Sequence, residues 1–339
     1  MNGFVGTPVR PVPKVGTTLT LRDHLGTVRA RVGIARNQYK VNPGLYCVGE
    51  ASASSPVFVT ANYKLSFDAL RKELANLDAW ILVADTRGIN VWCAAGKGTF
   101  CAEEIALQVQ RAGLAEIVSH RELILPQFGA TGVASHELNK LCGFKGIFGP
   151  LRAEDIPRFL DNGNKADETM RMVTFSLNER LILVPVEIAL IWKPFAIILI
   201  AFFLLSGIGP DVFSVQDSLS RGANGAWGTV IAILAGALAT PALLPLIPGR
   251  QFWLKGLLIG AIAGLAYMYG GMDGTGILEK FSLWLWIIAA ASFMAMNFTG
   301  ATPYTSLSGV EKEMRRGLPV QCVCGLFAVS LWIAAPFIK

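Results

Sequence analysis

The chain has 339 residues, 53% of them apolar, with a formal charge of +6 and a mean hydropathy of +0.47. That is too oily for a wholly soluble protein, and the apolar excess is confined to the second half. In the first half Lys and Arg are scattered, with no basic stripe and no interleaved aromatics, which argues against nucleic-acid binding.

The opening stretch, "MNGFVGTPVRPVPKVG", has neither an apolar core of signal-peptide length nor a cleavage site. Residues 1–17 are therefore read as an extension, and the domain that follows is expected to stay in the cytoplasm. Six cysteines are present, Cys47, Cys93, Cys101, Cys142, Cys322 and Cys324, and in a reducing compartment none is expected to pair. No C-x-x-C occurs, which argues against a zinc ribbon and against an iron-sulfur cluster held by this chain. Any electrons needed must come from a partner.

Residues 18–162 alternate short apolar runs with helical patterns. "SPVFVTANY" and "AWILVAD" read as buried strands; "SFDALRKELANL" and "TFCAEEIALQVQRAG" read as helices opened by Ser66 and Thr99 as N-caps. The pattern predicts an α/β, Rossmann-like domain with a largely parallel sheet. Such sheets bind ligands beyond the carboxyl ends of their strands, where Thr60–Tyr63 and Asp85–Lys97 fall.

Within the second of these loops lies "GINVWCAAGKG", Gly88 to Gly98. It is too short for periodicity to separate strand from helix, but Ala94 and Ala95 favour helix and Gly96 can end one. A helix would place Cys93 near an N-terminus, where backbone N–H groups and Lys97 favour the thiolate, a soft anionic metal ligand. The competing reading is an inert, buried thiol beside Trp92. Against it stand the small residues Ala94, Ala95, Gly96 and Gly98, expected to leave a bare face that can approach something flat and large. None of His24, His120 and His136 has a neighbourhood that marks it as a base for a nucleophilic cysteine.

A polar linker, residues 163–180, precedes an all-α transmembrane domain of five helices, residues 181–339. The spans are placed at roughly Leu181–Leu205, Ala226–Leu246, Phe252–Gly270, Phe281–Phe298 and Leu318–Ile338. Lys193-Pro194 interrupts the first and is expected where an interfacial turn ends and the span proper begins. Cytoplasmic loops would carry Arg250, Lys255, Lys312, Arg315 and Arg316, and the opposite side Arg221, Lys280 and Lys339. That bias keeps the N-terminal domain inside, on a cytoplasmic (inner) membrane protein. Small-residue stripes, Gly256, Gly260 and Gly264 on one helix and Gly228, Ala232 and Gly236 on another, point to close helix packing rather than to a transport path.

Three runs, "GIARNQYKVNPGLYCVGEASASSPVFVTANYKLSFDAL", "WILVADTRGINVWCAAGKGTF" and "LILPQFGATGVASHELNKLCGFKGIFGPLRAEDIPRFL", resemble the corrinoid-binding domain of the large subunit of the corrinoid iron-sulfur protein of the acetyl-CoA pathway, over about Thr18–Leu160. "NVWCAAGK" followed by a five-span domain resembles the mercury-methylating membrane corrinoid proteins, the HgcA family. The resemblance implies a corrinoid-dependent methyltransferase that carries a methyl group on the cobalt of a base-off, cobalamin-type corrinoid, with Cys93 as lower axial ligand, and passes it to Hg(II). It implies cofactor contacts from Thr60, Asn62, Asn90, Val91, Trp92, Cys93, Ala94, Ala95, Gly96, Lys97, Gly129, Ala130 and Gly149. Its implied partners are a ferredoxin-like iron-sulfur protein, HgcB, as electron donor, a methyl-folate-type donor or its methyltransferase, and the lipid bilayer. The D-x-H-x-x-G signature that supplies a histidine ligand elsewhere is absent, as this reading requires. Two alternatives stand beside it: a membrane-tethered methyl carrier of one-carbon metabolism with mercury an incidental acceptor, and a corrinoid-binding protein without turnover. Cys322 and Cys324 are a possible mercury relay only if Pro319 keeps their turn irregular, because residues two apart on a helix do not face each other; otherwise they are packing residues of a span.

Overall fold

The computed structural model describes residues 3–272, 274–301 and 307–338, and Lys339 lies outside them. The chain divides between Thr174 and Phe175 into two compact units.

The first unit is built on a five-stranded sheet. A short antiparallel ribbon, β1 (Phe4–Val5) with β2 (Val12–Pro13), comes first, then β3 (Gly44–Val48), β4 (Val57–Ala61), β5 (Ala79–Ala84), β6 (Glu122–Leu125) and β7 (Lys145–Phe148). The sheet order is β3-β5-β4-β6-β7. β3 pairs antiparallel with β5 at one edge and every other pairing is parallel. β4 and β5 are buried at every residue, as parallel strands covered on both faces must be. The edge is not left open: Val15 N–H donates to Cys47 O at 2.9 Å, so the end of the N-terminal extension lies along β3.

Helices cover both faces. α1 (Leu21–Arg31) opens on a capping box between Thr20 and Asp23. α2 (Lys64–Glu73) buries Phe67 and Leu70 on one face of the sheet together with Leu74, Ile156 and Phe159. α3 (Val91–Gly96) and α4 (Ala102–Ala112) cover the other, through Val91, Ala94, Ile105 and Val109. Neither expected cap holds. α2 begins at Lys64 with Tyr63 as N-cap, so Ser66 lies inside its first turn; α4 begins after Cys101, so Thr99 lies ahead of it. In both places the preceding strand or turn fixes where the helix can start, and that outweighs cap propensity.

In the second unit four helices are long and apolar enough to cross a membrane, and five if a bent pair is one span. The bent pair is Leu177–Leu190 and Trp192–Ser206, at 55° to each other. The bend falls at Ile191, so Pro194 sits in the first turn of the second arm, where a missing N–H costs least. Phe252–Gly270 has the expected bounds. Two helices start eleven residues earlier than their apolar runs suggest. Val215–Ala242, with a π turn at Leu234–Ala239, begins at a Ser214 cap that accepts from Asp217 N. Leu307–Ala334 continues through Pro319 without a break. The fourth helix, Ile277–Ala301, overshoots its expected run at both ends.

The glycine stripe of the 252–270 helix is the contact surface with Ile277–Ala301. A Cβ on Gly256 would lie 2.4 Å from Ala295 Cβ, and one on Gly260 2.8 Å from Ala291 Cβ. Gly236 is as tight, with Ala291 O at 2.4 Å from a Cβ there. Arg221, expected on an outer loop, is instead buried. Its Nε meets Glu279 Oε1 at 2.5 Å, and its terminal nitrogens donate to Ser206 O at 2.7 Å and Trp332 O at 2.6 Å.

Candidate functional site

The carboxyl ends of β4, β5 and β6 lie side by side, because these strands are parallel and adjacent. Chain direction reverses there: the link from β4 leads to β5 on one side, and that from β6 to β7 on the other. Crevices for ligands in open α/β sheets form at such a switch point.

Two asparagines shape this edge. Asn62 follows β4 and is buried; its Oδ1 accepts from Thr86 N at 3.2 Å and Gly88 N at 2.9 Å, and its Nδ2 donates to Asp85 Oδ1 at 2.8 Å. These bonds hold a turn in which Arg87 and Gly88 have φ of 59° and 78°. A Cβ on Gly88 would sit 2.9 Å from Asn37 O, so glycine is needed there on two counts. Asn90 is the N-cap of α3, its Oδ1 accepting from Cys93 N at 2.8 Å. The motif is thus a helix, and Asn90 fixes the backbone of the residue that carries the thiol. Asn90→Leu should lower thermal stability without any cofactor by about 1 kcal/mol, the usual worth of a cap. An unchanged melting midpoint would show that the cap is dispensable.

The small residues of the motif do not form one bare face. Val91, Ala94 and Ala95 are buried in the core, and Ala95 packs on the turn after β6, where a Cβ on Gly132 would come within 2.8 Å of Ala95 Cα. Gly96, Lys97 and Gly98 are exposed, and Trp92 and Cys93 are half-buried between the two groups. The correction has a plain cause: a helix this short needs an inward side, and alanines supply it.

Other expected contacts are placed unevenly. Thr60 is not in a loop; it is buried within β4, opposite Val83. Gly129 is buried under the Phe100 ring, and Gly149, next after β7, donates its N–H to Leu125 O at 2.8 Å. Both sit at the same edge of the sheet but serve close packing, whereas Ala130 is exposed. Cys322 and Cys324 belong to the second unit, on a regular helix through Pro319, so the irregular turn that a two-thiol chelate requires is not there. Cys324 Sγ lies 3.4 Å from Leu285 O.

The electrostatics of Cys93 reverse the expectation of a low pKa. Burial pushes the thiol above its ordinary value, and the charge of Lys97, the bond from Asn90 and the charge of Arg36 only partly offset this. Arg36 is the neighbour that sequence reasoning missed, and Tyr63 was placed only as the end of the 60–63 segment, without a role. The Arg36 guanidinium lies 5.6 Å from the Tyr63 ring centroid, and Tyr63 is 4% exposed with a hydroxyl that has no hydrogen-bond partner. The available signal was position, since Tyr63 directly follows Asn62 at the end of β4. Among the described residues no three His, Cys, Asp or Glu side chains group as a metal site. A metal at Cys93 must bring its other ligands with it.

Residues 18–160 match the family of the CO dehydrogenase/acetyl-CoA synthase delta subunit. The corrinoid/iron-sulfur protein large subunit of Moorella thermoacetica is 32% identical over 122 residues, 35% of this chain and 27% of that protein. The acetyl-CoA decarbonylase/synthase complex subunit gamma of Methanopyrus kandleri is 30% identical over 128 residues, 37% of this chain and 27% of the relative. The same subunit of Methanothermobacter thermautotrophicus is 31% identical over 145 residues, 42% and 30%. This chain therefore spans less than a third of the length of each. The family match falls within the first unit: residues 18–160 form a domain homologous to these corrinoid-protein and acetyl-CoA synthase subunits, joined in this chain to a unit of apolar helices.

Proposed function

We propose that the chain is a membrane-anchored corrinoid protein of the HgcA type, in which Cys93 is the lower axial ligand to cobalt and a methyl group from a methyl-folate-type donor, or its methyltransferase, is passed to Hg(II). The observation that carries this reading is the placement of one half-buried thiol on a capped helix, at the switch point of a domain homologous to the large subunit of a corrinoid/iron-sulfur protein. The residues present fit such a cofactor in three respects: Cys93 offers a soft donor, Tyr63 offers an unused buried hydroxyl, and Gly96 to Gly98 leave accessible backbone beside the thiol. When bound, the corrinoid supplies a cobalt centre that accepts and releases a methyl group.

The chain's own residues perform the positioning. Asn62 holds the 85–88 turn, Asn90 holds the Cys93 backbone, and Lys97 and Arg36 stabilise negative charge on sulfur. A thiolate ligand raises electron density on its metal, which suits delivery of a methyl group to a soft electrophile such as Hg(II). Electrons would come from a ferredoxin-like partner of the HgcB type, with the first unit on the cytoplasmic side.

A second reading, a tethered methyl carrier of one-carbon metabolism, is favoured by the acetyl-CoA decarbonylase/synthase subunits among the relatives. Methyl-loaded full-length protein mixed with Hg(II) separates the two. Transfer faster than from free methylcobalamin and lost in Cys93→Ala supports the first, and transfer no faster than from the free cofactor, as expected where mercury is an incidental acceptor, supports the second.

The raised thiol pKa has a consequence for coordination. Cys93 must lose a proton to become a thiolate, so its binding to cobalt should weaken by about tenfold per pH unit as pH falls below the thiol pKa, and level off above it. Spectral titration of the loaded protein measures this, and a flat profile would mean that sulfur is not the titrating ligand.

A further inference from the structure

Two cations and one hydroxyl on the Cys93 side of the sheet lack a carboxylate or hydrogen-bond partner that would account for them among the described residues. Arg31 ends α1 and is half-buried, yet among the described residues it has neither an ion pair nor a hydrogen bond. Arg36 has one long bond, 3.4 Å to Ala30 O, and among the described residues no carboxylate partner. The Tyr63 ring lies beside Arg36, and its hydroxyl is nine-tenths buried and unpartnered among the described residues. Both arginines lie within electrostatic reach of that hydroxyl, and Arg36, whose guanidinium is 5.6 Å from the Tyr63 ring centroid, also within reach of the Cys93 thiol. Half-buried guanidinium groups without counter-ions repel one another, and a buried donor without an acceptor is unfavourable. An anion with several oxygens would satisfy all three at once.

We propose that Arg31, Arg36 and the Tyr63 hydroxyl form an oxyanion site beside Cys93 that takes a phosphate group. Guanidinium groups bind phosphate through paired N–H donors, and a phenol hydroxyl adds a third direction, which matches a tetrahedral group better than a planar carboxylate. This rests on the corrinoid reading for the source of the phosphate. A cobalamin-type cofactor carries one phosphodiester, in the nucleotide tail that leaves cobalt when a protein thiol takes the lower position. The alternative source of the same chemistry is free phosphate.

The test uses full-length protein and three probes: cobalamin, cobinamide, which has the ring without the nucleotide tail, and inorganic phosphate. Tyr63→Phe removes only a hydroxyl that has no partner in the folded chain, so apo stability should be unchanged or higher. Arg36→Met is the second variant. If the tail phosphate is the ligand, cobalamin affinity should fall by roughly tenfold or more in both variants while cobinamide affinity stays constant, the effect of losing a hydrogen bond to a charged group. If free phosphate is the ligand, it should raise the melting temperature of the wild type and not of Tyr63→Phe, with cobalamin and cobinamide affected alike. Wild-type protein that binds neither corrinoid but keeps a Tyr63-dependent phosphate effect would retain the oxyanion site and remove the corrinoid reading. Variants that bind all three probes as the wild type does would overturn the proposal.

Discussion

Cys93→Ala is expected to keep the fold and most of the affinity for corrinoid while mercury methylation falls by about 100-fold or more. The fold should survive because the side chain is half-buried and Ala94 and Ala95, its neighbours, supply the inward face of α3. Corrinoid should still bind because, on the proposed reading, most of its contacts would come from backbone and side chains at the strand ends rather than from sulfur. Activity should fall because, on the proposed reading, the Cys93 thiolate would be the protein group that raises electron density at the metal. Changing outer-shell partners of a metal ligand already costs about 10–100-fold, so removing the ligand itself should cost at least as much. Cys93→His refines the result. A neutral nitrogen donor keeps coordination possible but donates less, so methyl uptake should survive while transfer to Hg(II) falls. Full activity in Cys93→Ala would remove the thiol from the chemistry.

The second large effect lies in the apolar unit. Arg221 joins four helices: its own, the Ser206 end of 192–206, Glu279 at the start of 277–301, and Trp332 near the end of 307–334. Its guanidinium also lies 4.9 Å from the Trp332 ring centroid. Arg221→Ala leaves the Glu279 carboxylate and two carbonyls without their donor in a poorly hydrated place. Breaking a buried pair from one side costs about 3–5 kcal/mol, so the detergent-solubilised protein should lose several degrees of thermal stability or fail to assemble. Removing both charges, Arg221→Met with Glu279→Leu, should recover part of the loss, because no orphaned charge then remains. A single variant as stable as the wild type would mean the cluster contributes nothing net.

Legibility in the sequence followed the range of the interactions. Phe252–Gly270 could be read to the residue, since an apolar run broken only by Lys255 is a local signal; Lys255 itself, expected on a loop, is buried in the first turn of that helix and donates to Leu244 O at 2.6 Å. The start at Val215 could not, because "VQDSLSRGANG" is polar in composition and its burial depends on Phe202 and Phe203 closing over Gly225 and Gly222. Alternating strands and helices disclosed a parallel-rich α/β domain, but not the antiparallel edge pairing of β3 with β5. At the site, the helix at Val91–Gly96 followed from Ala94, Ala95 and Gly96. The thiol pKa did not: Lys97 is four residues away, whereas the burial that outweighs it comes from the fold. Arg36 and Tyr63 are 27 positions apart in sequence and meet only because the chain returns along β4.

Whether sulfur from Cys93 is the protein's ligand to cobalt is read directly by electron paramagnetic resonance of the loaded protein in its cobalt(II) state. Sulfur has no nuclear spin in its abundant isotope, whereas an axial nitrogen splits each cobalt line into three. Wild-type protein should show no nitrogen splitting, Cys93→Ala a changed spectrum, and Cys93→His the threefold pattern. Nitrogen splitting in the wild type, or the same spectrum from wild type and Cys93→Ala, would rule out sulfur ligation by Cys93.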